Sequence, residues 1–329
     1  MASRKLTQQQ QSRIKKQQDR QLQKAKHDTD ITDSGREGTV IANYGKTVQL
    51  EDTQNTLYTC HIRQNLETLV CGDHVIWQQE DDSTGVVLAV SERDNFLARP
   101  DNKGNPKIVA ANIDQLLIVA AAKPALNTRL IDRYLLAAET AGITPVILFN
   151  KIDLPDEKSM QDIRNELSVY TQLGYQVIFT CAKQTHGTDE LQPALNNKTS
   201  VFVGQSGVGK SSLINALLPE ANADVGDISS STNKGRHTTT LTRLYHLPNG
   251  GNLIDSPGVR EFGLWKINLE QAATGFIEFR DFIGRCRFRD CHHEDEPGCA
   301  IHQAVEEGVI NSNRWESYRR IIESLRDSK

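Results

Sequence analysis

Apolar and polar positions change their spacing along this chain of 329 residues, and each change marks a region. Residues 1–34 lack apolar periodicity, so we expect them to be disordered. Short segments rich in Val, Ile, Thr and Tyr follow, with turn residues between them. These segments predict five strands, at 38–42, 47–50, 56–62, 73–77 and 85–90. Five short strands within about 60 residues favour a small barrel, best interpreted as an OB-fold.

Longer apolar runs alternate with helical patterns in the middle of the chain. Buried strands are expected at 115–121, 145–149, 176–180, 200–203, 241–247 and 252–254. Helices are expected at 129–141, 156–173 and 210–218. This alternation is typical of a doubly wound α/β domain that covers about 108–265. From about residue 268 the chain is predicted to be helical, apart from an insert rich in Cys and His.

Composition narrows the class of protein. No apolar run approaches the roughly 18 residues that a membrane span needs, and the Gln- and Lys-rich start has no apolar signal core. Six scattered cysteines do not suggest a disulfide framework, which favours a reducing cytoplasm. The net charge of −4 hides an asymmetry, since residues 1–27 carry eight basic side chains and one acid, a balance of +7, and the rest carries −11. Such a tail suits a polyanion such as RNA, although a solvated leader would have the same pattern.

Residues 204–212 have the spacing of a phosphate-binding loop between an apolar strand and a helix. Glycines let backbone N–H groups turn inward around phosphate oxygens. Lys210 would bring positive charge to the β- and γ-phosphates, and the Ser211 hydroxyl would bind Mg²⁺. The residues assigned to the nucleotide here are Gly204, Gln205, Ser206, Gly207, Val208, Gly209, Lys210, Ser211 and Ser212.

A second motif, Asn150-Lys151-x-Asp153, follows a predicted strand and indicates which base is bound. The Asp153 carboxylate can accept hydrogen bonds from guanine N1–H and from the exocyclic amine. Adenine lacks this donor pair and would leave the carboxylate unpaired, so the site should reject it. Asn150 would orient the loop, and the stem of Lys151 would pack along the base.

Three residues at the end of the next predicted strand complete the base site. Cys181-Ala182-Lys183 resembles the Ser-Ala-Lys loop that offers a backbone N–H to guanine O6, with cysteine in place of serine. Both base-reading motifs thus precede the phosphate loop, whereas ordinary GTPases have the reverse order. The α/β domain is therefore predicted to be a circularly permuted P-loop GTPase domain. Its pocket survives the permutation because ligand loops lie at the carboxyl ends of the strands, wherever the chain is cut.

The remaining nucleotide residues lie in two segments after the phosphate loop. Asp255 would hold Mg²⁺ through water, and the Gly258 N–H would sense the γ-phosphate. No glutamine follows Gly258 closely, so slow intrinsic hydrolysis is expected. His237 is the catalytic candidate that would orient or polarise the attacking water, with a merely solvated histidine as the alternative. Thr239 or Thr240 would bind Mg²⁺, and Thr239 is the residue we assign.

A cluster of cysteines and histidine near the C-terminus predicts a metal site. Its pattern is Cys286-x4-Cys291-x-His293-x5-Cys299, a Cys3His set typical of closed, tetrahedral structural zinc. His292 or His302 could replace His293, and free buried thiols are the other alternative. Basic and aromatic residues accompany the cluster: Arg280, Arg285, Arg287, Phe288 and Arg289. This surface suits RNA backbone and unstacked bases, or is only the solvated face of a zinc module.

Together these motifs resemble those of the RsgA/YjeQ family of GTPases that depend on the small ribosomal subunit. The resemblance rests on the permuted order, the sequences GRHTTT and DSPGVREFG, and the Cys3His set. It implies zinc ligands at Cys286, Cys291, His293 and Cys299. It also implies a cytoplasmic, monomeric protein that binds 16S rRNA and assists late maturation of the bacterial 30S subunit, which stimulates its slow GTP hydrolysis.

On this interpretation the chain has four parts. They are a basic disordered tail (1–34), an OB-fold RNA-binding domain (35–98), a circularly permuted GTPase domain (99–267) and a zinc-binding helical domain (268–329). The segment after Gly258 would run through 260–265 into the zinc domain, so a switch between GTP and GDP would pull on that domain. We expect GTP to favour the 30S-bound arrangement and hydrolysis to release it.

Other classes of protein remain open. A regulatory or membrane-associated GTPase with a protein partner is disfavoured because the sequence shows no lipidation motif or membrane segment. An RNA-binding scaffold with a purely structural nucleotide site is disfavoured by Lys210, Ser211 and Asp255. An ATP-using phosphate-loop enzyme is disfavoured if Asp153 confers a preference for guanine.

Overall fold

The computed structural model describes residues 35–64, 66–101, 105–218, 242–255, 267–294 and 296–327. The predicted tail, 1–34, lies outside these residues. Within them, eleven strands form one continuous sheet that runs from a small barrel into a layered α/β unit. No helix in this part of the chain is both long enough and apolar enough to cross a membrane.

The first five strands close into a barrel. They are β1 (Arg36–Asn43), β2 (Thr47–Asp52), β3 (Leu57–Ile62), β4 (His74–Asp81) and β5 (Thr84–Val90). Around the ring the order is β1-β2-β3-β5-β4 and back to β1, with β3 and β5 parallel. Alternate side chains point inward, so Val48, Leu50 and Trp77 fill the interior. The predicted OB-like barrel is confirmed.

A hairpin that the sequence pattern did not predict follows the barrel. Its strands, β6 (Phe96–Pro100) and β7 (Pro106–Ala111), pair antiparallel. The Ala111 N–H donates to the Cys71 carbonyl at 3.0 Å, which ties the hairpin to the barrel. Pro100 and Pro106 lie opposite each other where the strands meet the turn, and proline at these positions removes the usual strand signal. The predicted domain boundary between residues 98 and 99 falls inside β6.

The central unit is a sheet of mainly parallel strands with helices on both faces. The strands are β8 (Gln115–Ala121), β9 (Thr144–Asn150), β10 (Gln176–Thr180), β11 (Thr199–Val203), β12 (Arg243–His246) and β13 (Asn252–Asp255). Their order is β10-β9-β8-β11-β13-β12, and β12 runs antiparallel to β13. The helices are α1 (Thr128–Ala141), α2 (Glu157–Gln172), α3 (Gln192–Leu195) and α4 (Lys210–Leu217). The predicted doubly wound α/β fold is confirmed.

Strand β8 lies at the centre of this unit, and every one of its residues is buried. Leu116 and Ile118 pack on one face of the sheet, in the cluster that includes α1 and α2. Leu117 and Val119 pack on the other face, with α3 and α4. Burial on both faces explains why this strand is a continuous apolar run rather than an alternating one.

The barrel and the α/β unit share an edge. Strand β1 pairs antiparallel with β12, where Ala42 is opposite Arg243. Beside this seam, His246 Nε2 lies 2.8 Å from both carboxylate oxygens of Glu51 in β2. The barrel is therefore joined to the strand that precedes β13 by backbone pairing and by a side-chain contact.

The C-terminal part is helical. It contains α5 (Leu269–Gly275), a 3-10 turn (Ile277–Phe279), α6 (Ala300–Glu306) and α7 (Ser312–Asp327). Asn268 and Gln271 form a capping box that starts α5. Aromatic rings of Phe276, Phe279 and Tyr318 form the centre of its core, with centroids 5.1–5.5 Å apart. The segment rich in Cys and His lies between the 3-10 turn and α6, as predicted.

Candidate functional site

The predicted nucleotide residues that the structure describes gather at one edge of the central sheet. The phosphate loop follows β11, the Asn150 motif follows β9, the Cys181 motif follows β10, and Asp255 ends β13. These four strands are parallel, so their carboxyl ends meet at the same edge. Gly258, His237, Thr239 and Thr240 lie outside the described residues, and their roles stay predictions.

Two glycines let the phosphate loop approach its neighbours closely. Gly204 has φ +136°, and a Cβ atom there would lie 2.3 Å from the carbonyl oxygen of Val119. Gly209 has φ +99°, and a Cβ atom there would lie 2.3 Å from Nδ2 of Asn150. Any L-amino acid would be both strained and crowded at these positions. The loop geometry therefore requires glycine at both.

Lys210 sits inside the loop rather than on its surface. Its side chain is buried at the start of α4, and Nζ donates to the carbonyl oxygens of Gly204 at 2.6 Å and Gln205 at 2.8 Å. The ammonium group is thus held where the loop curls, which is where this motif places nucleotide phosphates. Ser211 and Ser212 are exposed in the first turn of α4.

Asn150 connects the three loops of the site. It is 1% exposed. Its Nδ2 donates to the Val208 carbonyl at 3.0 Å, and its Oδ1 accepts from the Ala182 N–H and the Thr180 hydroxyl, both at 3.3 Å. Nearby, Lys151 Nζ donates to the Gly207 carbonyl at 2.5 Å. The base-reading motif therefore also fixes the phosphate loop and the Cys181 loop.

A cleft of about 90 Å³ opens between these loops. It is lined by Asn150, Lys151, Asp153, Leu154, Cys181, Ala182, Lys183, Gly209 and Ser212. Asp153 is exposed, and its Oδ1 accepts a hydrogen bond from the Cys181 thiol at 3.1 Å. The thiol orients this carboxylate and leaves its second oxygen available to a ligand. The position of the cleft, beside the phosphate loop and between the two base-reading motifs, suits a purine base.

Asp255 occupies the last position of β13, one strand away from the phosphate loop. Its carboxylate adds to burial in raising the pKa of the neighbouring Tyr245 hydroxyl. Opposite Asp255, across the β12–β13 pair, lies Arg243. The end of β13, which is expected to hold Mg²⁺ through water, thus pairs with β12, the strand that joins the sheet to the barrel.

The four predicted metal ligands come together. The ligand atoms of Cys286, Cys291, His293 and Cys299 all lie within 4.8 Å of one another. His293 Nδ1 lies 3.4 Å from Cys286 Sγ and 3.6 Å from Cys299 Sγ, and these two sulfurs are 4.0 Å apart. A tetrahedral zinc with Zn–S bonds of about 2.3 Å would place sulfurs roughly 3.8 Å apart, so the set fits that ion.

Burial and backbone contacts set the protonation of side chains in this cluster. Burial lowers the pKa of His293, which keeps its imidazole neutral, as a ligand must be. Burial also raises the pKa of the Cys291 thiol to about 12, so a metal ion would have to displace its proton. The Ala300 and His302 N–H groups point at the sulfurs of Cys286 and Cys299, at 3.4 and 3.5 Å.

The two alternative histidines lie outside the cluster. His302 packs on the Trp315 ring, with centroids 5.1 Å apart, and its Nδ1 lies 3.5 Å from Glu306. His292 is exposed. His293, with φ +63°, turns the chain so that its own ring points to the thiols. The structure therefore favours His293 over the other two.

The basic residues beside the cluster do not form one uniform surface. Arg285, Arg287 and Arg289 are exposed, and the Arg287 guanidinium lies 5.4 Å from the centre of the exposed Phe288 ring. Arg280 differs, because it pairs with Glu139 of α1 at 2.7 Å. The other four predicted surface residues, Arg285, Arg287, Phe288 and Arg289, are exposed to solvent and are not part of this ion pair.

Several contacts at the nucleotide site were not predicted from sequence. The Lys123 carbonyl accepts from Lys151 Nζ at 2.8 Å, and Tyr134 lines a small cleft together with Gly204 and Gln205 of the phosphate loop. Leu154 lines the base cleft, and its position directly after Asp153 was the one signal available. No motif marks Lys123 and Tyr134, because they reach the site from the loop after β8 and from α1.

Comparison with known proteins agrees with this geometry. The model of the RsgA GTPase family matches residues 90–265. A Haemophilus influenzae protein named small ribosomal subunit biogenesis GTPase RsgA is 46% identical over 338 residues, which cover 100% of this chain and 98% of that protein. A Pseudomonas aeruginosa protein of the same name is 49% identical over 334 residues, with 99% and 98% covered.

Solved structures show the same architecture. YjeQ from Thermotoga maritima superposes with a TM-score of 0.74 and 34% identity, covering 88% of this chain and 98% of that one. YloQ, described as a circularly permuted GTPase, superposes with a TM-score of 0.73 and 32% identity, covering 90% and 96%. The predicted circular permutation and the enzymatic class, a GTP phosphohydrolase, are confirmed. The chain belongs to the RsgA GTPase family.

Proposed function

We propose that this GTPase assists maturation of the small ribosomal subunit in the cytoplasm, as a monomer that binds 16S rRNA of the 30S particle. One observation carries the proposal: a permuted guanine-nucleotide site occurs in a chain that is 46–49% identical, over nearly its full length, to proteins named for small-subunit biogenesis. GTP would favour binding to the particle, and hydrolysis would favour release.

Guanine selection is assigned to the base cleft. Asp153 is exposed there and oriented by the Cys181 thiol, so its carboxylate can accept from guanine N1–H and from the exocyclic amine. Lys183 lies at the same cleft, and its backbone N–H suits the O6 carbonyl, since the Ala182 N–H donates to Asn150. Adenine would leave the Asp153 carboxylate without these two donors, which is the basis for rejecting it.

Phosphate binding is assigned to the phosphate loop. Lys210 would exchange its bonds to the loop carbonyls for bonds to the β- and γ-phosphate oxygens, with little movement of the ammonium group. Bound Mg²⁺ would neutralise charge that develops on these oxygens. Ser211, Thr239 and Asp255 would hold that ion, Asp255 through water.

Water activation is assigned to His237. The residue after Gly258 is Val259, and no glutamine follows closely, so intrinsic hydrolysis should be slow. We assign the orientation of the attacking water to His237 in the 30S-bound state.

RNA binding is assigned to the barrel and to the metal-binding module. The sulfur and imidazole distances of the cluster suit one structural zinc ion, which would fix the loop that carries the exposed arginines. An exposed Phe288 beside Arg287 is suited to stack on an unpaired base, and Arg285 and Arg289 to contact phosphates. The basic N-terminal tail would add electrostatic attraction.

Co-sedimentation with purified subunits tests this function. The protein should pellet with 30S more tightly when loaded with a non-hydrolysable GTP analogue than with GDP, and it should not pellet with 50S. Salt should weaken the 30S complex steeply, because phosphate contacts release counterions. Equal affinity of the GDP and GTP-analogue complexes for 30S would contradict the nucleotide-dependent release.

A further inference from the structure

Helix α1 faces two partners at once. Ile131, Tyr134 and Leu135 lie on one stripe of the helix and pack into the core of the α/β unit. Leu136 lies on the adjacent stripe and is buried in the C-terminal core instead. A Cβ atom on Gly275 of α5 would lie 2.2 Å from Leu136 Cδ1, so the two helices are in close contact there. One rigid element therefore belongs to both cores.

A buried ion network fastens α7 to the same helix. Arg314 of α7 is 3% exposed, and its guanidinium contacts both Asp132 of α1 and Glu278. The Tyr170 hydroxyl of α2 donates to the same Asp132 carboxylate at 2.8 Å. The Phe276 ring lies 4.5 Å from the guanidinium carbon. Charges buried this deeply hold their partners in one geometry, because breaking a single contact leaves an unpaired charge.

Helix α7 also holds the metal-binding loop. Trp315, the residue after Arg314, donates from its indole nitrogen to the His293 carbonyl at 3.2 Å. One turn later, the Tyr318 hydroxyl donates to the His292 carbonyl at 2.8 Å. The first turns of α7 thus connect the metal-binding loop to Asp132 of α1.

The other end of this connection is the phosphate loop. Tyr134 lies two residues after Asp132 on α1, on the stripe that packs into the core of the α/β unit. The N-terminal turns of α1 line a cleft against the loop, with Leu130 and Tyr134 opposite Gly204 and Gln205. These two loop residues are the same ones whose carbonyls hold Lys210. A shift of α1 would therefore move the Lys210 ammonium group, to which phosphate binding is assigned.

We propose that α1 couples the metal-binding module to the phosphate loop, and that Asp132 and Arg314 are positioning residues through which engagement of that module by RNA stimulates GTP hydrolysis. This inference rests on the proposed function and adds a route for stimulation by the 30S particle. The route runs from the metal-binding loop through α7 and α1 to Gly204. It is separate from the segment 256–266, which connects the GTPase unit to the module along the chain.

The test compares two charge-removing variants on the same helix. Asp132→Asn keeps the size of the side chain and an oxygen for Arg314 and Tyr170, but removes the buried charge. The matched control is Glu139→Gln, which weakens the ion pair with Arg280 two turns along α1, where Arg280 is half exposed. Basal kcat, KM for GTP and kcat at saturating 30S are measured for the full-length wild-type protein and for both variants.

Asp132→Asn should lower the 30S-stimulated kcat by about tenfold, with basal kcat and KM for GTP within about twofold of the wild type. Glu139→Gln should keep full stimulation. Tyr134→Phe, which removes the hydroxyl at the other end of the route, should also lower the ratio of stimulated to basal kcat. Melting temperatures show whether each variant is folded, and Tyr134→Phe provides the test if Asp132→Asn is not.

Two results would overturn the coupling. One is full stimulation of folded Asp132→Asn and Tyr134→Phe while the wild type is stimulated. The other is a parallel fall of basal and stimulated kcat in both, which would indicate a merely structural role. Failure of the wild type to respond to 30S would instead refute the proposed function, and the coupling with it.

Discussion

Two side chains of the base-reading motif hold the neighbouring loops in place as well as facing the nucleotide site. Asn150 is fully buried and bonded to the phosphate loop and to the Cys181 loop. Lys151 Nζ is bonded to the carbonyls of Lys123 and Gly207. Asp153 is the member of the motif whose side chain is exposed at the cleft. Base selectivity should therefore depend mainly on Asp153.

Replacing Asp153 should change which base is bound. Asp153→Asn should weaken GTP binding by about a hundredfold or more, because an amide NH₂ would face the guanine donors. Xanthosine triphosphate, which carries a carbonyl in place of the amine, should bind this variant better than it binds the wild type. Competition against a fluorescent nucleotide measures both affinities. Glu157→Gln, an exposed acid at the start of α2, is the control, and an unchanged preference for GTP in Asp153→Asn would contradict the assignment.

Replacing His237 should affect the chemical step alone. His237→Ala should lower the 30S-stimulated kcat by about a hundredfold, the ordinary contribution of a residue that positions or activates water. The affinity for a non-hydrolysable GTP analogue should stay within about twofold, because the histidine is not assigned to binding. Single-turnover hydrolysis with saturating 30S makes the measurement. A stimulated kcat equal to that of the wild type would remove His237 from the mechanism.

The phosphate loop is the element whose backbone is most tightly specified. Its glycines are needed where the loop passes the Val119 carbonyl and the Asn150 side chain. Such close approaches depend on a neighbouring strand that is distant in sequence. The spacing of the motif predicted the loop, but only the packed sheet shows why each glycine is required.

A methyl group at Gly204 should abolish nucleotide binding. Gly204→Ala places Cβ about 2.3 Å from the Val119 carbonyl oxygen, so the loop must move away from the sheet. Gly142→Ala is the matched control, since Gly142 also has positive φ but has open space around its Cα. The control should lose about 1–2 kcal/mol of stability and keep its GTP affinity. Calorimetric titration with GTP would contradict the account if Gly204→Ala bound like the control.

Metal removal should destabilise the C-terminal module and leave the base cleft unchanged. A strong chelator, or His293→Ala, should lower the melting temperature of that module by about 10 °C or more, because metal binding contributes directly to folding. His292→Ala, at an exposed neighbouring position outside the cluster, should leave it unchanged. Differential scanning calorimetry gives the transitions. An equal effect of the two substitutions would contradict the assignment of His293 as a ligand.

Strands and helices with strong local patterns were predictable. Strand β10 was predicted at its observed bounds, Gln176–Thr180, because an apolar run lay between clear turn signals. The hairpin β6–β7 was missed because Pro100 and Pro106 occupy the turn ends of its two strands and few β-branched residues mark it. The spacing of apolar residues shows only the local preference for a strand. This hairpin is stabilised instead by its contacts with the barrel.

The whole molecule is held together by contacts that no local motif encodes. The barrel joins the GTPase sheet through β1 and β12, and Arg314 joins the C-terminal helices to α1. Neither contact was predicted, because both join residues that are far apart in the sequence. In particular, a buried arginine at the start of a helix has the same local sequence pattern as an arginine exposed to solvent. The site residues were predicted because each lies in a short motif whose spacing is itself the signal. Tyr134, which has no motif, was missed.

The proposed function depends on whether the small subunit activates GTP hydrolysis at this permuted site. The measurement to make is GTP turnover by the full-length protein alone, with purified 30S and with purified 50S. We expect slow turnover alone, strong stimulation by 30S, and no stimulation by 50S. Equal rates in all three conditions, or stimulation by 50S instead, would contradict it.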